Sequence, residues 1–252
     1  MEFKITNVYI NKDAEDYKIT YDHLNKKRPS WIRFEKHPEK ISFIKILLNN
    51  ENFWYRLYFE NYFFPLLTTP NDYEYFYDEI SKKYESFVPQ NSKIGEFILN
   101  LLEKRNLSKN TNILEICAGT GLISEKIVGG GYKNYTLLDC SKKCLDVAKN
   151  KNLLKNCKFI KTNLLEFKSD EKFDLIISSM GLDLDYFNHS DMSNIFSNFQ
   201  KILKSNGLFV CIDRHIYYDI YKKFFENIES STFFLESEKG KNRYECFVGR
   251  VR

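Results

Sequence analysis

The sequence predicts an α/β fold, a mostly parallel sheet that ends in an antiparallel hairpin, with helices between the strands. Three observations carry this. Ile113-Leu114-Glu115-Ile116 is an apolar run of strand length; it ends in Ala118-Gly119-Thr120-Gly121, and residues 122–128 follow with helical spacing. Strand, glycine turn and helix in that order open a βαβ nucleotide-binding unit. Strand-like and helix-like segments then alternate to about residue 228, as a parallel sheet requires. Finally, residues 232–236 and 244–251 are strand-like and are joined by the turn signal Glu238-Lys239-Gly240-Lys241.

In chain order, residues 41–48 have helical spacing, and residues 52–64 are crowded with aromatics, apolar nearly all round. A helix of that kind is buried on several sides. Pro65 and Pro70, with Asn71-Asp72, mark a linker. Tyr77, Ile80 and Tyr84 then share a helical face. Residues 94–102 form an amphipathic helix that Ser92 is expected to cap, and Ser141 is placed to cap a helix over 142–150. Strands are expected at 135–138, 157–161, 173–179 and 208–212. A helix is expected over 192–203, stopped at Gly207 by a left-handed cap, and another over 217–228.

Two residue types stand out in the first unit. Glu115 interrupts an apolar strand, and a buried carboxylate needs a partner to justify its desolvation. Asp139 ends the second strand about twenty residues past the glycines, where a carboxylate can accept both hydroxyls of a ribose. The glycines let the backbone turn sharply and let a ligand approach closely, and the helix that follows offers free N–H groups.

The set Glu115-Ile116-Cys117-Ala118-Gly119-Thr120-Gly121 with Asp139 resembles the class I S-adenosylmethionine (SAM) dependent methyltransferases, whose first motif is an acidic residue followed by x-Gly-x-Gly-x-Gly. Cys117 stands where that family has glycine. Phe173-Asp174 and the segment Tyr77, Asp78, Tyr84 match further family patterns, and Asn163 stands where an aspartate usually holds the adenine amino group. The resemblance covers roughly residues 73–252. It implies a Rossmann-like seven-stranded methyltransferase sheet, mostly parallel, whose C-terminal antiparallel hairpin inserts the last strand beside strand five. It also implies an aromatic-rich, mainly helical N-terminal extension. A dinucleotide dehydrogenase would need a third glycine where Ser124 stands.

The aromatic density of residues 1–90 is read as a lid over the substrate, the competing reading being a helix that packs on the domain or on a second subunit, and 91–252 is the expected SAM-binding domain. SAM is the expected cofactor, held by Glu115, Cys117, Ala118, Gly119, Gly121, Asp139, Cys140, Asn163, Leu164 and Ser178. Asp139 is expected to be dispensable for the stability of the free protein. Ligands of open α/β sheets bind outside the carboxyl ends of the strands, which nominates Asp183 and Asp185 after strand four and Asp213, Arg214 and His215 after strand five. His215, Asp183 and Tyr77 are the expected catalytic residues, with His215 a base suited to neutral pH. Asp183 among tyrosines would hold an amine cation, whereas Arg214 would bind a carboxylate or phosphate.

Composition narrows the partners. The 252 residues carry a net charge of +4 with both signs mixed, and Lys26-Lys27-Arg28 is the one tight basic cluster. That is not the footprint of a dedicated nucleic-acid binder. The acceptor is therefore expected to be a small molecule methylated at nitrogen or oxygen; transfer to RNA or protein, or SAM binding without catalysis, are the competing readings. The six cysteines form no Cys-x-x-Cys pair, no apolar run reaches membrane-spanning length, and no secretory leader is evident. A reduced, cytoplasmic, membrane-free setting is expected, with residues 53–64 the interface if the chain forms a homodimer.

Overall fold

The structure is a computed structural model that describes residues 70–183, 186–237 and 240–251. The expected helix at 41–48, the aromatic run at 52–64, Asp185 and most of the 1–90 extension lie outside the described residues.

Tyr73 to Arg252 form one compact unit. Its helices and strands are α1 (Pro70–Ile80), α2 (Tyr84–Phe87), α3 (Gln90–Lys104), β1 (Ile113–Ile116), α4 (Leu122–Gly129), β2 (Tyr135–Asp139), α5 (Lys142–Lys149), β3 (Lys158–Lys161), β4 (Phe173–Ser179), α6 (His189–Ile202), β5 (Leu203–Asp213), α7 (Tyr218–Phe224), β6 (Phe225–Ser237) and β7 (Gly240–Val251). The described strands make a seven-stranded sheet in the order β3-β2-β1-β4-β5-β7-β6. All pairs from β3 to β5 are parallel, and β7 lies antiparallel between β5 and β6. The expected sheet and its C-terminal hairpin are both present.

β1, β2 and β4 are buried on both faces, so their sequences are nearly continuous apolar runs. One face packs on Ile94, Ile98 and Leu102 of α3 and Ile123 and Ile127 of α4. The other packs on Phe196 and Phe199 of α6 and Tyr221 of α7. Phe196 centres an aromatic cluster, with Tyr221 at 4.7 Å and Phe225 at 5.5 Å in edge contacts. Edge strand β3 begins and ends with exposed lysines, Lys158 and Lys161, which discourage further strand addition.

Several boundaries differ from expectation, each for a local reason. α3 is not capped by Ser92: it starts at Gln90, and the turn bonds Asn91 N–H to Val88 and Ser92 N–H to Pro89 already place Ser92 inside its first turn. α6 starts earlier than expected, because Asn188 accepts from Ser190 and Asp191 N–H while the Asp191 carboxylate accepts from Asn188 N–H. This reciprocal cap satisfies two orphan donors. There is no left-handed cap at Gly207. Leu203 turns extended at once and pairs with Phe173, and the next aligned pair is Leu175 with Leu208, so residues 204–207 bulge. Gly207 is required by closeness instead, since a Cβ there would lie 2.9 Å from Leu203 Cδ2 and Lys204 O. α7 ends at Phe224 because Phe225 pairs with Val251 in the sheet, so strand pairing overrides the helical spacing.

Candidate functional site

The carboxyl ends of β1 and β2 and the segment 77–84 meet at the glycine turn. Cys117, Gly119 and Gly121 have φ of 52°, 55° and 77°, all left-handed. Ala118 N–H donates to Leu138 O, and Gly121 N–H to Ala118 O. Gly121 has no room for a side chain: a Cβ would lie 2.7 Å from Leu154 Cδ1 and 3.2 Å from Ala148 Cβ. At Gly119 a Cβ would touch the Tyr84 ring at 3.4 Å, so an aromatic ring faces the turn across a narrow gap.

Asp139 ties the turn to β2. Its Oδ2 accepts from Gly119 N–H at 2.7 Å, and its Oδ1 accepts from Ser141 N–H at 2.8 Å. Burial pushes its carboxyl above the ordinary range against these two bonds and one from the Cys140 side chain. Each oxygen has a second lone pair, one of them shared with the weak Cys140 S–H, to offer another donor. Ser141 caps α5 as expected, accepting from Cys144 N–H.

The segment at 77–84 is fastened here as well. The Asp78 Oδ1 atom accepts from Ser141 Oγ at 2.6 Å and from Lys143 N–H at 2.9 Å. Half-buried Lys151 bridges Glu85 and Glu125 at 2.7 and 3.2 Å, which fixes α2 against α4 and holds Tyr84 over the turn.

Glu115 faces the other way. Its carboxylate accepts from Ser124 Oγ of α4 and from Tyr135 OH at 2.7 Å. Burial raises its pKa from 4.5 to about 7, opposed by these two bonds. An unfolded Glu115 releases its proton near 4.5 and the folded one near 7, so between those values the folded state binds more protons. Stability from this group therefore falls as pH rises through that window, by up to about 1.4 kcal/mol per pH unit. Glu115→Gln is expected to flatten that part of the pH dependence. Urea midpoints for both proteins across the window check this, and parallel curves would mean that folded Glu115 is already ionised.

Asn163 uses its Oδ1 to accept from Leu165 N–H at 2.9 Å, which shapes the turn after β3, and Leu164 is buried beneath. Ser178 is fully buried, and its side chain bonds the thiol of Cys211 across the sheet. Tyr77 OH meets Tyr186 OH at 3.1 Å, and Tyr217 OH donates to Asp183 Oδ1 at 3.2 Å. His215 is exposed and stands edge-on to Tyr217, with ring centroids 4.6 Å apart. The turn, Asp139 and the 77–84 segment thus sit together, whereas Glu115 lies behind the turn and His215 at its outer margin. The order of residues alone did not show the roles of Tyr186 and Tyr217; their position after β4 and β5 was the available signal.

A family profile described as "Methyltransferase domain" matches residues 113–207. These begin at β1 and contain the glycine turn and Asp139. Over that segment the chain is similar to methyltransferase domains. A curated relative is the demethylmenaquinone methyltransferase of Leptospira interrogans, 27% identical over 154 residues. That match covers 54% of this chain and 58% of the relative. N-methyltransferase NodS of Bradyrhizobium japonicum, solved with S-adenosyl-L-homocysteine (SAH), superposes with a TM-score of 0.52 at 16% identity, over 84% of this chain and 98% of its own. The glycopeptide N-methyltransferase MtfA, also with SAH, gives 0.51 at 13%, over 65% and 90%. At these identities the likeness shows the fold.

The site fits SAM on its own geometry. Gly119 leaves only a narrow gap beneath the Tyr84 ring, Gly121 keeps the turn tight against Leu154 and Ala148, and Asp139 can still accept another donor. Among the described residues no cluster of metal-ligating side chains occurs, and no helix is long and apolar enough to cross a membrane.

Proposed function

We propose that the protein transfers a methyl group from SAM to a nitrogen or oxygen of a small-molecule acceptor. The observation that carries this is the joint placement of the Cys117–Gly121 turn, Asp139 and Tyr84. In this reading Asp139 accepts the ribose hydroxyls, Gly119 and Gly121 let the cofactor approach the backbone, and Asn163 and Leu164 flank the adenine. Ala118, Cys140 and Ser178 complete the walls, and Glu115 holds the turn from behind through Ser124. Bound SAM supplies an activated methyl group, so the chain has to align the acceptor and, where needed, remove its proton. In this reading Tyr77 and Asp183 orient the acceptor, and His215 is exposed just after β5. The demethylmenaquinone methyltransferase relative supports a small acceptor, and so does the mixed charge of the sequence.

SAM and SAH are expected to bind in the micromolar range, about −8 kcal/mol, and NAD not to compete. Calorimetry that found NAD binding without SAM binding would reject the reading. Incubation with labelled SAM and a metabolite extract, and separately with RNA and protein, tests the acceptor. Label only in macromolecules would reject the small-molecule part.

A further inference from the structure

The end of β5 holds a carboxylate that the functional reading leaves unused. Asp213 is 1% exposed. Its Oδ1 accepts from Arg214 N–H at 2.7 Å, and the Leu182 backbone amide also bonds the carboxyl. Its Oδ2 is buried with no partner. The loop leaving β4 passes over it: Met180 N–H donates to Ile212 O at 2.9 Å, and Asp183 follows on the same loop. The Ser179 Oγ at the end of β4 is likewise buried and unpartnered. A buried carboxylate oxygen without a partner is expensive unless a ligand completes it.

We propose that Asp213 takes the proton from the methyl acceptor, and that Asp213 and Asp183 together select an acceptor that arrives as a protonated amine. This rests on the methyltransferase reading above. Two carboxylates beside Tyr77, Tyr186 and Tyr217 suit a cation. Arg214, the cation next to Asp213, is exposed, so among the described residues the two acids present negative charge to an acceptor. An ammonium has no lone pair and cannot attack until it loses a proton. The N–H bond breaks and its proton passes to Asp213 Oδ2. The freed lone pair forms the N–C bond as the C–S bond breaks, and the electron pair of that bond stays on sulfur, turning the sulfonium into a thioether.

Burial first, then the charge of Asp183, pushes the Asp213 pKa from 3.8 to about 7. The charged and titratable groups around it include Asp183 from the loop, Arg214 next in the chain, Glu245 across the β5–β7 pair, and Cys117, Cys211, Tyr221 and Tyr244. Glu245 is held by Arg243 at 2.6 Å and by Ile216 N–H. A base of this pKa must be ionised to act, so kcat/KM is expected to rise with pH through about 7.

The test uses the full chain, labelled SAM and a metabolite extract, with the products separated on a strong cation exchanger near neutral pH. Label is expected in the retained, cationic fraction. The acceptor fraction is then titrated into SAH-loaded wild type, Asp213→Asn and Asp183→Asn. Asp213→Asn is expected to lower turnover about 10²- to 10⁴-fold and to lose the rise near neutral pH, with SAH affinity unchanged as the check on folding. Asp183→Asn is expected to weaken acceptor binding about tenfold or more. Label in neutral or anionic products, or an Asp213→Asn protein with wild-type turnover, overturns the amine assignment and leaves methyl transfer standing. No label in any small-molecule fraction, with SAH still bound, overturns the reading beneath it as well.

Discussion

Asp139→Ala is expected to weaken SAM and SAH binding by about 2–4 kcal/mol, roughly 30- to 900-fold in Kd. The loss comes from two charge-assisted bonds to the ribose. The free protein is expected to suffer too, contrary to what the sequence suggested. Both carboxylate oxygens already hold backbone amides, those of Gly119 and Ser141, and removing them leaves two sheltered N–H groups unpaired. Each such group costs about 1–3 kcal/mol, reduced here because ionised Asp139 is itself disfavoured by burial. SAH calorimetry and urea unfolding separate the two effects. Unchanged SAH affinity with lowered stability would confine Asp139 to tying the turn to β2.

Gly181→Ala is expected to destabilise the protein by about 1–3 kcal/mol, and Cys117→Gly to rescue it. Gly181 does not have a left-handed φ, so the need is one of space. A Cβ there would lie 2.6 Å from Cys117 Cβ and 2.9 Å from its Sγ, too close without movement of the turn. Cys117 stands where the family has glycine, and it keeps the left-handed φ of 52° that glycine would adopt freely. That conformation costs an L-residue about 1–2 kcal/mol. Removing the Cys117 side chain relieves this strain and clears the space over position 181. A double-mutant cycle in urea is expected to show a coupling of about 1 kcal/mol or more. If the two changes simply add, something other than Cys117 keeps position 181 small.

This pair also marks how far the sequence could be read. Cys117 is visible as a departure from a motif, but its compensation lies 64 residues away, and no local pattern connects them. β4 was legible to the residue because an unbroken apolar run buried on both faces has few alternatives. The start of α6 was written in the sequence as Asn188 and Asp191, three apart, and was passed over in favour of the apolar spacing. The ends of α6 and α7 were not legible, since Leu203 and Phe225 leave their helices to pair with strands distant in sequence. At the acceptor side Asp213, Arg214 and His215 were all nominated, and His215 was favoured as the base on the ordinary pKa of an imidazole. All three follow one strand, and only burial separates the enclosed carboxylate from the two exposed neighbours.

The place of β7 between β5 and β6 sets the order in which the sheet can be completed as the chain leaves the ribosome. β5 is made before β6 and β7, but its free edge is filled by β7, the later of the two. At about 5–20 residues per second, the interval between Asp213 and Val251 lasts roughly 2–8 s. During that time β5 presents an unpaired apolar edge, Phe209 to Ile212, to whatever is near. β6 emerges first but is built to pair with β7, and binding the β5 edge would trap a misregistered sheet. Insertion of β7, more than formation of the glycine turn, is therefore the step at which this sheet is most exposed to aggregation.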